Sequence, residues 1–309
     1  MLSCWFNGEN PSLLGISLVL TEVYEMAKLA PMVFVIFLLA SECPPTRAAT
    51  FVFTENVISE THLTIRIANE GWGEGRIQDI EKVLYSAAGE IFAYIPNKRD
   101  LAIVVRHGES RPRTLYQRSA NGEFIVLLTA KDRYWSQYAY QFSHEFCHIL
   151  AMNSKVTDNP NQWFEESLGK TASLFALRRM AITWRSSPPY PNWKDYASSL
   201  SVYAQDSINE SHRQLPSDMT FVEWFAKNED SLREDPYLRE KDGIVANQLL
   251  ALFEEDPDGW GAVTYLNLSR PSREQTFEEY LNDWHSRVPR KYEPLIEKVG
   301  KRFGLSISG

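Results

Sequence analysis

The chain is 309 residues long, 44% hydrophobic and 23% charged, a balance that excludes a largely disordered chain and a polytopic membrane protein. Its formal net charge of −8 leaves no basic surplus to neutralise phosphates, so nucleic acid is not an expected partner. The length suffices to bury a sizeable core, as one large domain or two small ones.

The first landmark is Leu29–Ala40, LAPMVFVIFLLA, twelve residues without charge behind Lys28. A membrane span takes about 20 apolar residues, so no stable span is expected. A basic residue, a short apolar stretch and small residues near Ala48 and Ala49 fit an export signal. Glu22 and Glu25 put negative charge ahead of it, and translation is therefore expected to begin at Met26 or Met32. Glu42 stands before Cys43 where lipid attachment calls for a small residue, which disfavours a lipoprotein. Residues 1–49 are thus expected to be a signal region, and the protein exported to the periplasm or the exterior. Cleavage near Ala49 would leave Cys147 alone of the three cysteines, without a disulfide partner.

Thr61–Ala68, THLTIRIA, alternates like a half-buried strand, and NEGWGEG makes a loop after it. Arg76–Ile95 carries Ile77, Ile80, Val83, Leu84, Ala87, Ala88 and Ile91 at helical spacing. DLAIVVRHG and Gly122–Ala130, GEFIVLLTA, are further strands, the second introduced by a turn at Asn121-Gly122. One helix is expected from about Lys131 to Met152, broken by VTDNPNQ, and another from Trp163 to about Trp184. The proline-rich RSSPPYPN suggests a division into a core region, 50–185, and a helical C-terminal region, 186–309. In that second region FVEWFAKN, DGIVANQLLALFEE and TFEEYLNDWHSRV read as helices, the last with Phe277, Leu281, Trp284 and Val288 on one stripe.

Within the Lys131–Met152 helix lies SHEFCH. Residues four apart share a helical face, so His144 and His148 present two imidazoles to one metal ion. Glu145 projects toward the same cleft, where a carboxylate can take the proton of a metal-activated water. A catalytic zinc site wants three protein ligands and one open position. Seventeen residues separate His148 from Glu166, room for a loop and a returning helix whose first turns carry Glu166 toward the histidines. Glu165 points about 100° away on the same helix; one of the two can ligate, and the other should be solvated.

HEFCH followed by WFEESLG resembles the gluzincin zinc peptidases, most closely the peptidase MA-like domains, whose pattern is His-Glu-x-x-His then Trp-x-x-Glu-Gly-Leu-Ala. Trp163, Glu166 and Leu168 match that pattern, and Ser167 and Gly169 replace its small residues. The resemblance covers about 30 residues and implies zinc on His144, His148 and Glu166, with Glu145 as general base and acid. Two departures stand out. Lys170 occupies the position where many gluzincins carry an acid that orients a histidine, so that support must come from elsewhere. Tyr237, in PYLREKDG, is two or three residues out of register with the oxyanion tyrosine of the aminopeptidase branch. It reads as a surface or core tyrosine, with an oxyanion role as the alternative. The Gly122–Ala130 strand lies where zincins lay out an extended substrate, or is an ordinary core strand.

Other features are plainer. Cys147 reads as a small buried residue, with a regulatory thiol as the alternative. His62, His107, His212 and His285 are isolated and read as surface or capping residues. The acidic Glu254–Asp258 lacks calcium-loop spacing and reads as a solvated turn.

The expected fold is α+β and zincin-like, a small mixed sheet packed on the metal helix with a helical C-terminal half. The expected function is zinc-dependent hydrolysis of peptide bonds in a peptide or protein substrate. The alternatives are a non-catalytic binding protein on a zincin fold and a zinc amidohydrolase acting on a non-peptide amide.

Overall fold

β1 (Leu63–Ile67) buries Leu63, Ile65 and Ile67 and turns Thr64 and Arg66 the other way, the period-two pattern of a half-buried strand. α1 (Ile77–Phe92) carries the chain back to β2 (Leu101–His107), which lies parallel to β1. β3 (Arg113–Leu115) follows, then β4 (Phe124–Leu128), which pairs parallel with β2 and antiparallel with β3. The sheet is therefore mixed, in the order β1-β2-β4-β3. The computed structural model describes residues 62–96, 98–151, 159–269 and 271–307. The expected export signal, Cys4 and Cys43 lie outside the described residues.

β4 is paired on both sides and offers no free edge, so Gly122–Ala130 is a core strand and not a place to lay out substrate. The edge strands are β1 and, on the side of the cleft, β3, whose three residues are too few to show alternation in the sequence. Arg66 reaches across the sheet to Glu123, donating from Nε and Nη2 to the two carboxylate oxygens at 2.6 and 2.7 Å. Ser119 Oγ also donates to Glu123, at 2.8 Å, and closes the turn that starts β4. Gly122 in that turn has φ +79°, a conformation that Gly adopts without strain.

After β4 every regular element among the described residues is helical: α2 (Trp135–Leu150), α3 (Gln162–Ser186), α4 (Tyr196–Asn209), α5 (Phe221–Glu234), α6 (Arg239–Glu255), α7 (Trp260–Val263), α8 (Phe277–Arg287) and α9 (Glu293–Arg302). The α+β class is as the sequence implied. α1 and α2 pack together, α1 against β1 and α2 against β3 and β4. α3 is buried along its length, from Trp163 through Leu168, Ala172 and Phe175 to Trp184, so it lacks an amphipathic stripe. It packs against α1 and α2 on one side and α4 and α6 on the other. Trp163 and Phe164 lie in an aromatic cluster with Phe225, Phe277 and Phe303, which ties the start of α3 to α5, α8 and the C-terminal segment. Among the described residues no helix is long and apolar enough to cross a membrane.

Candidate metal centre

α2 runs without proline or glycine from Trp135 to Leu150 and buries Tyr138, Phe142, Phe146 and Ile149 on the face toward the core. That packing turns His144 and His148 outward together, toward a cleft of about 930 Å³. Helix α3 then returns antiparallel beside α2 with Glu166 in its first turns. His144 Nε2 and His148 Nε2 stand 3.1 Å apart. Glu166 Oε2 is 3.3 Å from His144 Nε2, and Glu166 Oε1 is 3.6 Å from His148 Nε2. His144, His148 and Glu166 thus form a group able to hold a metal ion.

Electrostatics supports these roles. Burial opposes a charge on Glu166, but His148, His144 and Lys170 outweigh it and hold its carboxyl at about 2, an anion ready to ligate. Burial pulls His148 below the usual imidazole range, which favours the neutral, ligating form. Glu145 is only 3% exposed, and burial pushes its carboxyl up to about 7 against the opposing His148 and the Thr114 hydrogen bond. Thr114 Oγ1, on β3, donates to Glu145 Oε2 at 3.0 Å. Such a group exchanges protons at neutral pH with little bias either way.

Glu165 corrects an expectation. It is 3% exposed rather than solvated, accepts a hydrogen bond from Asn159 Nδ2 at 2.8 Å, and is pushed up to about 8 by burial. The 100° turn away from the histidines points into the interior, because α3 has core on nearly every side. His285 is buried too, against the expectation of a surface residue, and His107 packs edge-on against Trp72. His62 is exposed beside Asp100 and His212 is exposed beside Glu210. Cys147 is buried and burial pushes its thiol up, the state of an inert packing residue.

Lys170 has partners of its own. It is buried, and its Nζ donates to Arg239 O at 2.8 Å and lies 3.2 Å from Asp242 Oδ2 on α6. The side chain thus pins α3 to α6 beneath the cleft instead of orienting a histidine. His148 Nδ1 is buried with no hydrogen-bond partner among the described residues. Gly169, one turn from Glu165, makes a different contribution: a Cβ there would come within 2.7 Å of His144 Cε1 and Nδ1. The absence of a side chain is what lets the His144 ring approach α3 so closely. Tyr237 lines the cleft, 46% exposed, with its hydroxyl accepting from Gln162 Nε2 at 3.0 Å. Tyr116 also lines it, and burial, with the acidic groups nearby, pushes its hydroxyl above the usual tyrosine range.

Sequence reasoning missed Thr114, Tyr116 and Asp242. The first two sit on or beside a strand too short to carry a pattern, and Asp242 is joined to the site only by the packing of α6 on α3. Comparison with protein-family models, curated proteins and solved structures returned no match.

Proposed function

We propose that the chain is an exported zinc peptidase of the gluzincin type, with His144, His148 and Glu166 as ligands and Glu145 as general base and acid. One observation carries this reading: the spacing of the three ligand atoms around one point, with a buried carboxylate beside them. Four donors set tetrahedrally at 2.0–2.1 Å from zinc are about 3.3 Å from one another. His144 Nε2 and His148 Nε2 are 3.1 Å apart, and Glu166 brings one oxygen to 3.3 Å from the first and its other oxygen to 3.6 Å from the second, so a small rotation of the carboxylate would bring one oxygen and both imidazoles around that ion. Zinc bound there would supply Lewis acidity toward a carbonyl and lower the pKa of a water molecule.

The chain's own groups do the rest. Glu145 accepts a proton from the attacking water and returns it to the departing amine, a double role suited to a carboxyl near 7. Thr114 fixes one oxygen of Glu145 and leaves the other for the transfer. The unpaired edge of β3 borders the cleft, where the main chain of an extended peptide can add as a further strand. The hydroxyls of Tyr116 and Tyr237 are the candidates to donate to the developing oxyanion.

The test is metal content by elemental mass spectrometry, with hydrolysis of a broad peptide library, on wild type and Glu145→Gln. The reading expects one zinc per chain in both and a loss of about 10²–10⁴-fold in hydrolysis for Glu145→Gln. A wild type that binds zinc and cuts nothing supports instead a binding protein on the same scaffold. The unpartnered Nδ1 of His148 favours that second reading, since ligating histidines ordinarily donate their other N–H to a fixed acceptor.

A further inference from the structure

The cleft that holds the His144–His148–Glu166 group has a charge opposite to that of the chain. The whole sequence carries 40 acidic residues against 32 lysines and arginines. The cleft is lined by six arginines and Lys170, against Glu145, Glu166, Glu210 and Asp242. Each of those carboxylates already has an occupation. Glu166 faces the two imidazoles, Asp242 faces Lys170, Glu210 faces Arg213 at 2.6 Å, and Glu145 is bonded by Thr114. Five guanidinium groups remain, those of Arg99, Arg111, Arg113, Arg118 and Arg239. Among the described residues none of the five has a carboxylate at ion-pair distance, and all are exposed to the cleft.

Two of them are held in position by stacking. Arg118 lies over the Phe124 ring at 3.1 Å from its centroid, and Arg111 over the Tyr237 ring at 5.2 Å. A guanidinium stacked on a ring keeps its N–H edge free, and that edge matches a carboxylate in a two-point hydrogen bond. Arg111 and Arg113 are two apart in the segment that leads into β3, the strand with the open edge. Alternate side chains of an extended peptide lying along that edge fall on the same side with the same period.

We propose that this cleft selects peptides with acidic side chains flanking the bond to be cut, read by Arg99, Arg111, Arg113, Arg118 and Arg239. The selection of a bond to be cut rests on the peptidase reading above; the selection of an acidic peptide does not. A cleft lined by one sign of charge focuses the field on its contents, which here draws acidic segments into the cleft of a chain whose net charge of −8 otherwise repels them.

Binding is measured by fluorescence anisotropy on zinc-loaded Glu145→Gln protein, with a labelled peptide carrying four glutamates and a twin carrying four glutamines. At about 50 mM salt the acidic peptide binds about tenfold more tightly, and at about 500 mM most of that advantage is gone. The double variant Arg111→Gln/Arg113→Gln, built on surface residues so that the fold is unaffected, loses most of the preference. Arg185→Gln, outside the cleft at the end of α3, keeps it. Equal binding of the two peptides, or a preference that survives the double variant, overturns the proposal. So does a cleft that takes a sulfated polysaccharide through these arginines and leaves the acidic peptide unbound. Hydrolysis by the wild type separates the two readings. If it cuts the neutral twin as fast as the acidic peptide, the acidic selectivity falls and the peptidase stands. If it binds the acidic peptide selectively and cuts neither, the peptidase falls and the acid-selective cleft stands.

Discussion

Two neighbouring glutamates on α3 have opposite fates. Glu166 is held as an anion by His148 and His144, while Glu165 is buried among Asn159 and the core and pushed up to about 8, so it is protonated at neutral pH. Glutamine is close in shape to a protonated glutamate. Glu165→Gln is therefore expected to keep both its metal and its melting temperature, whereas Glu166→Gln loses the metal; metal analysis and thermal melts on the two proteins check this. Equal metal loss in both would mean that Glu165 shares the ligation. Gly169 gives a second prediction at this scale. By intrinsic propensity Gly169→Ala favours a helix by about 0.5–1 kcal/mol. The new Cβ meets the His144 ring at 2.7 Å, however, and tilts it out of line with His148 and Glu166. The expected outcome is a zinc affinity lower by about 10–100-fold with no loss of fold, measured by competition with a chromophoric chelator. The sequence had shown Gly169 only as a small residue, because the reason for its size is a ring on another helix.

Elements are held in place by a few buried polar links that no periodicity announces. Asn161, directly before α3, is fully buried; its Nδ2 donates to Gln275 O at 3.1 Å and its Oδ1 accepts from Arg233 Nη1 at 3.2 Å. One side chain thus joins the start of α3 to the cap of α8 and the end of α5. Asn161→Ala leaves those partners unsatisfied and is expected to cost about 2 kcal/mol in denaturant unfolding. It should also weaken metal binding, since Glu166 lies five residues on. At the sheet, Arg66 hydrogen bonds hold the Glu123 carboxyl below the usual range, against burial and with help from Ser119. A carboxyl depressed in the folded state stabilises above its unfolded pKa, and that contribution is lost as pH falls through the folded value. The melting temperature of the wild type is therefore expected to drop on acidification below about pH 4, with a shallower drop in Glu123→Gln. Parallel slopes for the two would remove the link its role. Long apolar patterns had been enough to find β1, β2, β4, α1, α2, α3, α5, α6 and α8. α4 was missed because it buries mainly small residues, Ala197, Ala204 and Ser207 beside Leu200, which leave little stripe. α9 is short and carries Pro294 and Gly300, which read as breakers.

For the molecule as a whole, what could be read in advance was what lies close together in the chain. His144, Glu145 and His148 fall on one helical turn, and the Glu165–Glu166 pair follows after one loop, so spacing brought a carboxylate to the histidines and the resemblance singled out Glu166. The second wall of the cleft comes from Thr114 and Tyr116, on and just after β3, and from Tyr237 and Asp242, just before and on α6, brought together by the packing of β3 on α2 and of α6 on α3. That arrangement has a thermodynamic consequence. The three candidate donors converge only when α2 and α3 are packed, so the unfolded chain holds no equivalent site, and the zinc of the proposed function would bind the folded state. At zinc concentrations about a thousandfold above Kd, such binding adds about 4 kcal/mol to stability. For a domain of this size each kcal/mol moves the melting temperature by about 2–4 °C, so stripping the metal should lower it by about 10 °C. Glu145→Gln, which removes no donor, should show the same drop on chelation; Glu166→Gln should start low and show none. Differential scanning fluorimetry with and without chelator reads all three. A wild type indifferent to the chelator, at full metal loading, would mean that α2 and α3 dock without help from the ion and that the three donors are fixed by the core alone.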